Sequence, residues 1–462
     1  MQYRPTIGLE VHAELSTKTK MFCNSANNPD EVKPNVNVCP VCLAHPGTLP
    51  VINHDAVRHM LRIGAAVGGT VADFSEFDRK SYFYPDIPKG YQITQYEYPF
   101  ISGGVLAGVA ITRVHLEEDT ARSIHAGGKS LVDFNRAGIP LMELVTEPVM
   151  KDAETAGRFA RELQLLLRTL CASEANLEKG EMRIEANVSV SNQEGVFGTK
   201  VEVKNINSFR SVERAITYEI KRQIALLEKG GKVVQETRGW DETKQETFHQ
   251  RFKEGSADYR YFPEPDLPKL LLSEVQGFSN EAIRASLPEL PWERRGRYTQ
   301  LGLKEEDIEF IIASIARGLF FDAVVKELEG MRESSVLAAN YFISDLAGES
   351  GRATPTAFAK LIRMYATQKL SSRGTKDTLL ILIEEGGDPE TIAQKHNLLQ
   401  IHDVSALEAV VDTVLAQEEK ATQEYKNGKQ AALQYLVGKA MKESRGAGNP
   451  LELQKLIVEK LT

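Results

Sequence analysis

Between residues 5 and about 290, apolar positions recur mostly at every second residue, in short runs broken by Gly, Pro, Asp and Asn. This is the spacing of strands that bury one face. From about residue 291 the spacing lengthens to three and four, and the remainder reads as almost wholly helical. The change of period falls in Arg284-Ala-Ser-Leu-Pro-Glu-Leu-Pro291, where two prolines disfavour a continuing helix. A second break is expected at Gly386-Gly-Asp-Pro389. Two helices interrupt the strands. Asp152–Asn176 carries Phe159, Leu163, Leu166 and Leu170 on one stripe, and Phe209–Lys229 carries Ile216, Ile220, Ile224 and Leu227 between Ser208 and Gly230-Gly231. The expected class is α+β, a strand-rich part with helices followed by an all-α part.

Four strands alternate apolar residues with a chemically unusual second face. Glu10, His12 and Glu14 oppose Leu9, Val11 and Ala13, and Arg113, His115 and Glu117 oppose Val114 and Leu116. Further along, Arg183, Glu185 and Asn187 oppose Ile184, Ala186 and Val188, and Glu202 and Lys204 oppose Val201 and Val203. Glu143, in Leu141-Met-Glu-Leu-Val145, fits the alternation less cleanly. Two readings stay open. These faces are the solvated side of an antiparallel sheet, or their recurring carboxylates, which repel when neighbours, surround a cation. Mg²⁺, which binds a few carboxylate oxygens together with substrate phosphates, is the natural one.

At 42% hydrophobic and 26% charged residues, the composition is ordinary for a soluble protein, and the length of 462 residues allows two to four domains. No apolar run reaches the ~18 residues of a membrane span. The start of the chain shows no export pattern, so cytoplasm is the expected location. Four cysteines are too few for a disulfide framework in such a chain. A net charge of −8 confines any nucleic-acid contact to a local basic region. Neither a phosphate-binding loop of the G-x-x-x-x-G-K-[ST] kind nor a G-x-G-x-x-G, G-x-S-x-G or H-E-x-x-H motif is present, which removes the commonest nucleotide-site, hydrolase and zinc-protease readings.

Long runs then resemble one family. They are Ile7-Gly-Leu-Glu-Val-His-Ala-Glu-Leu15, Cys39-Pro-Val-Cys-Leu-Ala-His-Pro-Gly47 and the stretch Arg79–Gln95 around Lys-Ser-Tyr-Phe-Tyr-Pro-Asp. His115-Leu-Glu-Glu-Asp119, Asp133–Glu143, Lys204-Asn-Ile-Asn-Ser-Phe209 and Gly255–Asp266 continue the match. The chain resembles the B subunits of the tRNA-dependent amidotransferases, the GatB/GatE family. Its end, through Leu436-Val-Gly-Lys-Ala-Met441 and Gly446-Ala-Gly-Asn-Pro450, is similar to the small helical YqeY proteins. The resemblance implies an antiparallel-sheet cradle domain over 1–290, a helical domain over 291–404 and a tRNA-contacting tail over 405–462.

It also implies an activity, the ATP-dependent phosphorylation of the side-chain carboxylate of Glu-tRNA(Gln) or Asp-tRNA(Asn) and its amidation, a glutamine-hydrolysing carbon–nitrogen ligase reaction. The implied partners are an amidase, the family's A subunit, that supplies ammonia from glutamine, the small C subunit, and tRNA. The family's Mg²⁺ ligands fall on His12, Glu117 and Glu143, with Glu10 close by and Glu202 a further member. Lys80, Lys89 and Lys204 are taken as groups that face phosphate or line the ammonia route.

The cysteines depart from the family pattern. Cys39 and Cys42 form a C-x-x-C pair and Cys23 precedes them, but Ser25 stands where relatives carry a further cysteine. Zinc with a non-cysteine fourth ligand, an empty relic of that site and a redox pair compete, and the metal-free reading is favoured. Cys171 is expected to be a core thiol. At Glu185 an aspartate is more usual, which puts a direct role there in doubt. Two alternatives to the amidotransferase reading are a non-catalytic tRNA-binding scaffold and a metal-dependent hydrolase built on the same carboxylates.

Overall fold

A computed structural model of the chain describes residues 3–28, 30–252, 259–400, 404–444 and 448–461. The first residues of the Gly255 run, and Arg445, Gly446 and Ala447 of the tail, lie outside them. The chain divides into two compact units, Met1–Pro291 and Trp292–Thr462.

The first unit is built on a ten-stranded sheet. Seven of its strands carry most of it: β1 (Arg4–Glu14), β2 (Val109–Glu118), β3 (Pro140–Thr146), β4 (Met182–Ser191), β5 (Val201–Ile206), β6 (Glu236–Asp241) and β7 (Glu246–Phe252). Their order across the sheet is β7-β6-β5-β4-β1-β3-β2, continued by Ile101–Ser102 and Thr70–Val71. Neighbours are antiparallel except β5 and β6. That exception follows from the connection, because a helix between the two strands returns the chain to the end from which it set out.

The alternation divides the sheet into two faces. Leu9, Val11 and Ala13 of β1, Val114 and Leu116 of β2, Met142 and Leu144 of β3 and Ile184, Ala186 and Val188 of β4 are all buried. Three helices belong to this core: α1 (His54–Ala66), α2 (Ala153–Thr169) and α3 (Phe209–Glu228). Each starts on a side-chain cap, supplied by Asn53, Asp152 and Ser208, whose oxygens accept from otherwise unpaired first-turn N–H groups. α2 stops seven residues short of the expected Asn176. Leu170 closes it, and Cys171 then takes a left-handed conformation at φ 51°. That turn carries Cys171 out to solvent, so it is exposed and not a core thiol.

A three-stranded sheet of Asp78–Ser81, Tyr91–Thr94 and Phe262–Pro263 belongs to the same unit and carries Lys80 and Thr94. The second unit is helical. Gly386 and Asp388 mark a turn between the helices Ser372–Glu385 and Pro389–Lys395, where Gly386 adopts φ +76° and Asp388 caps the next helix. Its last four helices, Val404–Gln417, Glu419–Lys426, Gln430–Glu443 and Pro450–Leu461, close on a core of their own around Leu407, Val411, Leu436, Leu453 and Ile457.

Candidate functional site

The polar face of the sheet becomes a site because of strand register. In one row across four strands stand Arg183, His12, Glu143 and His115. The neighbouring row brings Glu185 beside Glu10, and Asn187 pairs with Glu202. Side chains directly opposite on one face are in contact range. His12 Nε2 lies 3.4 Å from Glu143 Oε2 and 3.8 Å from both Glu117 Oε1 and Glu10 Oε1. His115 Nε2 lies 3.2 Å from the same Glu143 oxygen. Glu143, which the sequence pattern places less cleanly, is the residue shared by both imidazoles.

Three overlapping sets have ligand atoms within 4.8 Å of one another: Glu10, His12 and Glu143; His115, Glu117 and Glu143; and Glu10, Glu185 and Glu202. Glu117, Glu143 and Glu202 are buried. Burial and Glu143 push Glu10 above the ordinary glutamate range. Burial works against the charge on His12, but the hydrogen bond and charge of Glu143 and the charges of Glu117 and Glu10 outweigh it and raise His12 to about 9. Burial likewise opposes the charge of Glu143, and the two histidines reverse that and hold it well below its usual value. A concentration of buried negative charge is thus offset by protons on histidine. A divalent cation would serve the same purpose, and the oxygen-rich donor set suits Mg²⁺. Two buried acceptor-capable atoms beside this cluster, His115 Nδ1 and Asn187 Oδ1, have no hydrogen-bond partner among the described residues. Such atoms in a site of this kind are open to a ligand or water.

The lysines divide. The Lys80 ammonium makes no ion pair or hydrogen bond among the described residues, and its Nζ lies 5.1 Å from the Tyr259 ring centroid and 5.8 Å from that of Tyr82. Burial opposes its charge, but Glu117 foremost, with Tyr261 and Glu143, holds its pKa above the usual lysine value. Lys204 bonds Glu185 at 2.8 Å and lies 3.9 Å from Glu202, joining the third set. Lys89 belongs elsewhere. It bonds Glu118 at 2.6 Å, and Glu118 is one residue past Glu117 and so on the opposite face of β2. With Glu118, Lys89 lines a cavity of about 170 Å³ that also contains Cys23 and Cys42.

The reading of the sequence left His115 out of the ligand set and discounted Glu185, and both stand in the cluster. Alternation on β2 and β4 was the available signal for each. Thr94, which donates to Glu117 Oε2 at 3.2 Å, comes from the small sheet and had no such signal.

The thiols of Cys23, Cys39 and Cys42 also converge within 4.8 Å. Ser25 Oγ stands 3.8 Å from Cys42 Sγ, and the buried Lys20 Nζ lies at the same distance on another side. The Cys42 thiol is lowered to about 4 by the Cys23 hydrogen bond, the Cys39 backbone and Lys20, against its burial.

The GatB/GatE catalytic domain family matches residues 5–276, the span that holds every member of the carboxylate–histidine cluster. The GatB domain family matches residues 319–461. The chain belongs to the GatB/GatE family. It is 43% identical to the B subunit of the aspartyl/glutamyl-tRNA(Asn/Gln) amidotransferase of Thermus thermophilus, covering 99% of both chains. It is 42% identical to the protein of the same name from Alkalilimnicola ehrlichii over the full length of both. The chloroplastic/mitochondrial glutamyl-tRNA(Gln) amidotransferase B subunit of Oryza sativa subsp. japonica is 41% identical, covering 99% of this chain and 88% of that one. In this GatB/GatE chain no helix among the described residues is long and apolar enough to cross a membrane.

Proposed function

We propose that this chain is the ATP-using component of a tRNA-dependent amidotransferase acting on Glu-tRNA(Gln), Asp-tRNA(Asn) or both, in the cytoplasm. The observation that carries the reading is the convergence of Glu10, His12, Glu117 and Glu143, joined by His115, on one buried sheet face with the unpaired cation Lys80 nearby. In this reading an oxygen of the substrate's side-chain carboxylate attacks the γ-phosphorus of ATP, ADP leaves, and an acyl phosphate forms. Ammonia from an amidase partner, with a small third protein completing the assembly, adds at the acyl carbon, phosphate departs, and the amide remains after loss of a proton. His12, Glu117 and Glu143 would hold Mg²⁺, which supplies neutralisation of charge on the transferring phosphoryl group.

The chain's own residues then have distinct tasks. Lys80 carries a charge that its carboxylate neighbours keep in place, and so offers phosphate oxygens a fixed cation. Burial opposes the charge of Lys204, but Glu185 and Glu202 keep it protonated and confine it to the far end of the cluster. No protein nucleophile is required, in keeping with the absence of a Ser or Cys triad motif.

The test uses the assembled enzyme with misacylated tRNA, Mg²⁺, ATP and glutamine. His12→Ala, Glu117→Ala and Glu143→Ala should each lower amidation and tRNA-stimulated ATP hydrolysis by roughly 10²-fold or more, while glutamine hydrolysis by the partner persists. Near wild-type amidation in any of the three would sink the metal assignment. Absence of Mg²⁺-dependent ATP turnover stimulated by misacylated tRNA would favour the scaffold reading instead.

A further inference from the structure

Apart from the carboxylate cluster, the first unit gathers three thiols that the reaction scheme does not use. The sulfurs of Cys23, Cys39 and Cys42 lie within 4.8 Å of one another, and Cys39 Sγ stands 3.9 Å from Cys42 Sγ. Cys39 and Cys42 share one backbone turn, in which the Leu43 N–H donates to the Cys39 carbonyl at 3.0 Å. Donors converge on the Cys42 sulfur. They are the Cys39 N–H at 3.1 Å, the Lys20 ammonium at 3.8 Å and the Ser25 hydroxyl, which can donate, at 3.8 Å. One acceptor stands against them, the Cys39 carbonyl at 3.5 Å.

Lys20 decides what that convergence means. It is fully buried, and apart from the Cys42 sulfur its ammonium meets the Phe134 carbonyl, at 3.1 Å. An ammonium out of water needs an anion beside it. Burial works against the Lys20 charge, and Cys42 foremost among its neighbours supports it. The counter-charge that the fold provides is therefore a Cys42 thiolate. The same ammonium disfavours a divalent cation among the sulfurs, because like charges so close repel. A thiolate held in this way is a nucleophile. Cys42 and Cys23 line the cavity of about 170 Å³ that Lys89 and Glu118 also line. One water needs roughly 10–15 Å³, so a molecule as small as hydrogen peroxide has room at the sulfur.

We propose that Cys42 is the reacting sulfur of a peroxide-sensitive modification site and that Cys39 resolves it as a disulfide. The Cys42 thiolate attacks one oxygen of hydrogen peroxide, the O–O bond breaks, and hydroxide leaves and is protonated to water. Cys42 is then a sulfenic acid. The Cys39 sulfur attacks the Cys42 sulfur, the S–O bond breaks, and hydroxide departs with the Cys39 proton as a second water. Two thiols are oxidised and one peroxide is reduced to two waters. A small dithiol reverses the change by thiol–disulfide exchange, ending as a disulfide itself. Sulfurs 3.9 Å apart reach bonding distance by side-chain rotation. The site stands apart from the amidation proposed above, and neither proposal needs the other.

The test treats the full-length chain, purified reduced and then freed of reductant, with hydrogen peroxide at neutral pH and reads it by fragment mass spectrometry. The expected product has lost two hydrogens, one each from Cys39 and Cys42, and dithiothreitol restores them. Cys42 should be modified before Cys171, which is exposed. Cys39→Ser should stop at the sulfenic acid, trapped on Cys42 by dimedone, and Cys42→Ser should give neither adduct nor disulfide. Lys20→Met keeps the bulk of the side chain and removes its charge. It should slow the oxidation roughly 3- to 30-fold: the upper end is the step from full ionisation to the few per cent thiolate of an ordinary cysteine, and the lower end allows for the weaker nucleophilicity of a stabilised thiolate. Should that variant fail to fold, the parent chain and the two cysteine variants still decide. Oxidation of Cys171 first, a disulfide that uses Cys23, or one equivalent of bound zinc that leaves all three thiols unreactive overturns the proposal.

Discussion

Glu14 shares a face of β1 with Glu10 and His12, yet its closest electrostatic partner is Asp119. Asp119 is served by Arg183 at 2.8 Å and Arg136 at 3.5 Å, and these guanidiniums outweigh its burial and hold it below the usual aspartate range. Glu14 is left with burial and a neighbouring negative charge, which together push it to about 8 from an ordinary 4.5. A carboxyl raised on folding binds its proton more tightly in the folded chain. Its favourable contribution is complete below about 4.5 and is lost as pH climbs through about 8. Glu14→Gln removes that titration and keeps a donor for Asp119. The unfolding midpoint of the variant relative to the parent should therefore rise between about pH 5 and about pH 8 and level off above. A difference that does not vary with pH would show Glu14 ionised in the fold. The three-thiol group makes a second prediction at this scale. With the Ser25 hydroxyl where a fourth thiolate would stand and the Lys20 ammonium near Cys42, it should hold well under one zinc per chain, and Ser25→Cys should bring zinc toward one equivalent. Metal analysis of protein purified without chelator decides between these outcomes. A full equivalent in the parent chain would mean that three sulfurs and an oxygen suffice. Most residues of the carboxylate cluster were legible from alternation, because a period of two assigns a face without any knowledge of neighbours. The exposure of Cys171 was not, because it depends on where α2 ends and on a left-handed residue that helical periodicity does not announce.

At the scale of elements, alternation gave the faces of the strands but not their order. That His12 lies between Arg183 and Glu143 depends on β1 pairing with β4 on one side and β3 on the other, across separations of more than a hundred residues. Nothing local encodes that. Helix starts were legible through Asp152 and Ser208, whereas the parallel β5–β6 pair was not. Helix packing supports a prediction from two glycines. A Cβ added at Gly64 of α1 would collide with the side chain of Ile101, which is fully buried and has no room to yield. At Gly157 of α2 the obstructing atoms are the end of the Glu213 side chain, which is one third exposed and, among the described residues, is tied only to Arg161. Alanine gains about 1 kcal/mol of helix propensity at either site, but overpacking a core costs about 1–3 kcal/mol. Gly64→Ala should thus lower stability by about 1–2 kcal/mol, while Gly157→Ala should be close to neutral or slightly stabilising. Denaturant melts of the two variants compare them directly, and equal losses would show that α2 and α3 cannot adjust.

For the molecule as a whole, the shift from strand to helix spacing near Pro291 was visible in the sequence, while the chemistry of the last helices changes once their packing is known. Residues 420–462 carry eight basic against four acidic side chains, a surplus that invites a phosphate-binding reading. The helix Val404–Gln417 and the two residues after it share that bundle and bring Glu408, Asp412, Glu418 and Glu419 with no basic residue, so the bundle is neutral overall. Three of its lysines are already paired, Lys429 with Glu424, Lys439 with Glu418 and Lys460 with Asp412. What remains for tRNA is local: Lys420, Lys426, Lys442 and Lys455 have no ion pair among the described residues. Each phosphate neutralised contributes roughly one unit to the slope of log affinity against log salt. Replacing these four lysines together by glutamine should weaken tRNA binding by the assembled enzyme and flatten that slope by up to about four units. Lys439→Gln, whose charge Glu418 already answers, should leave the slope where it was. Because contacts of this kind position the nucleic acid without reading bases, the loss should be alike for tRNA(Gln) and tRNA(Asn). A slope unchanged by the fourfold substitution would turn the positive charge of the bundle toward water or a partner protein, and would leave tRNA binding to the first unit.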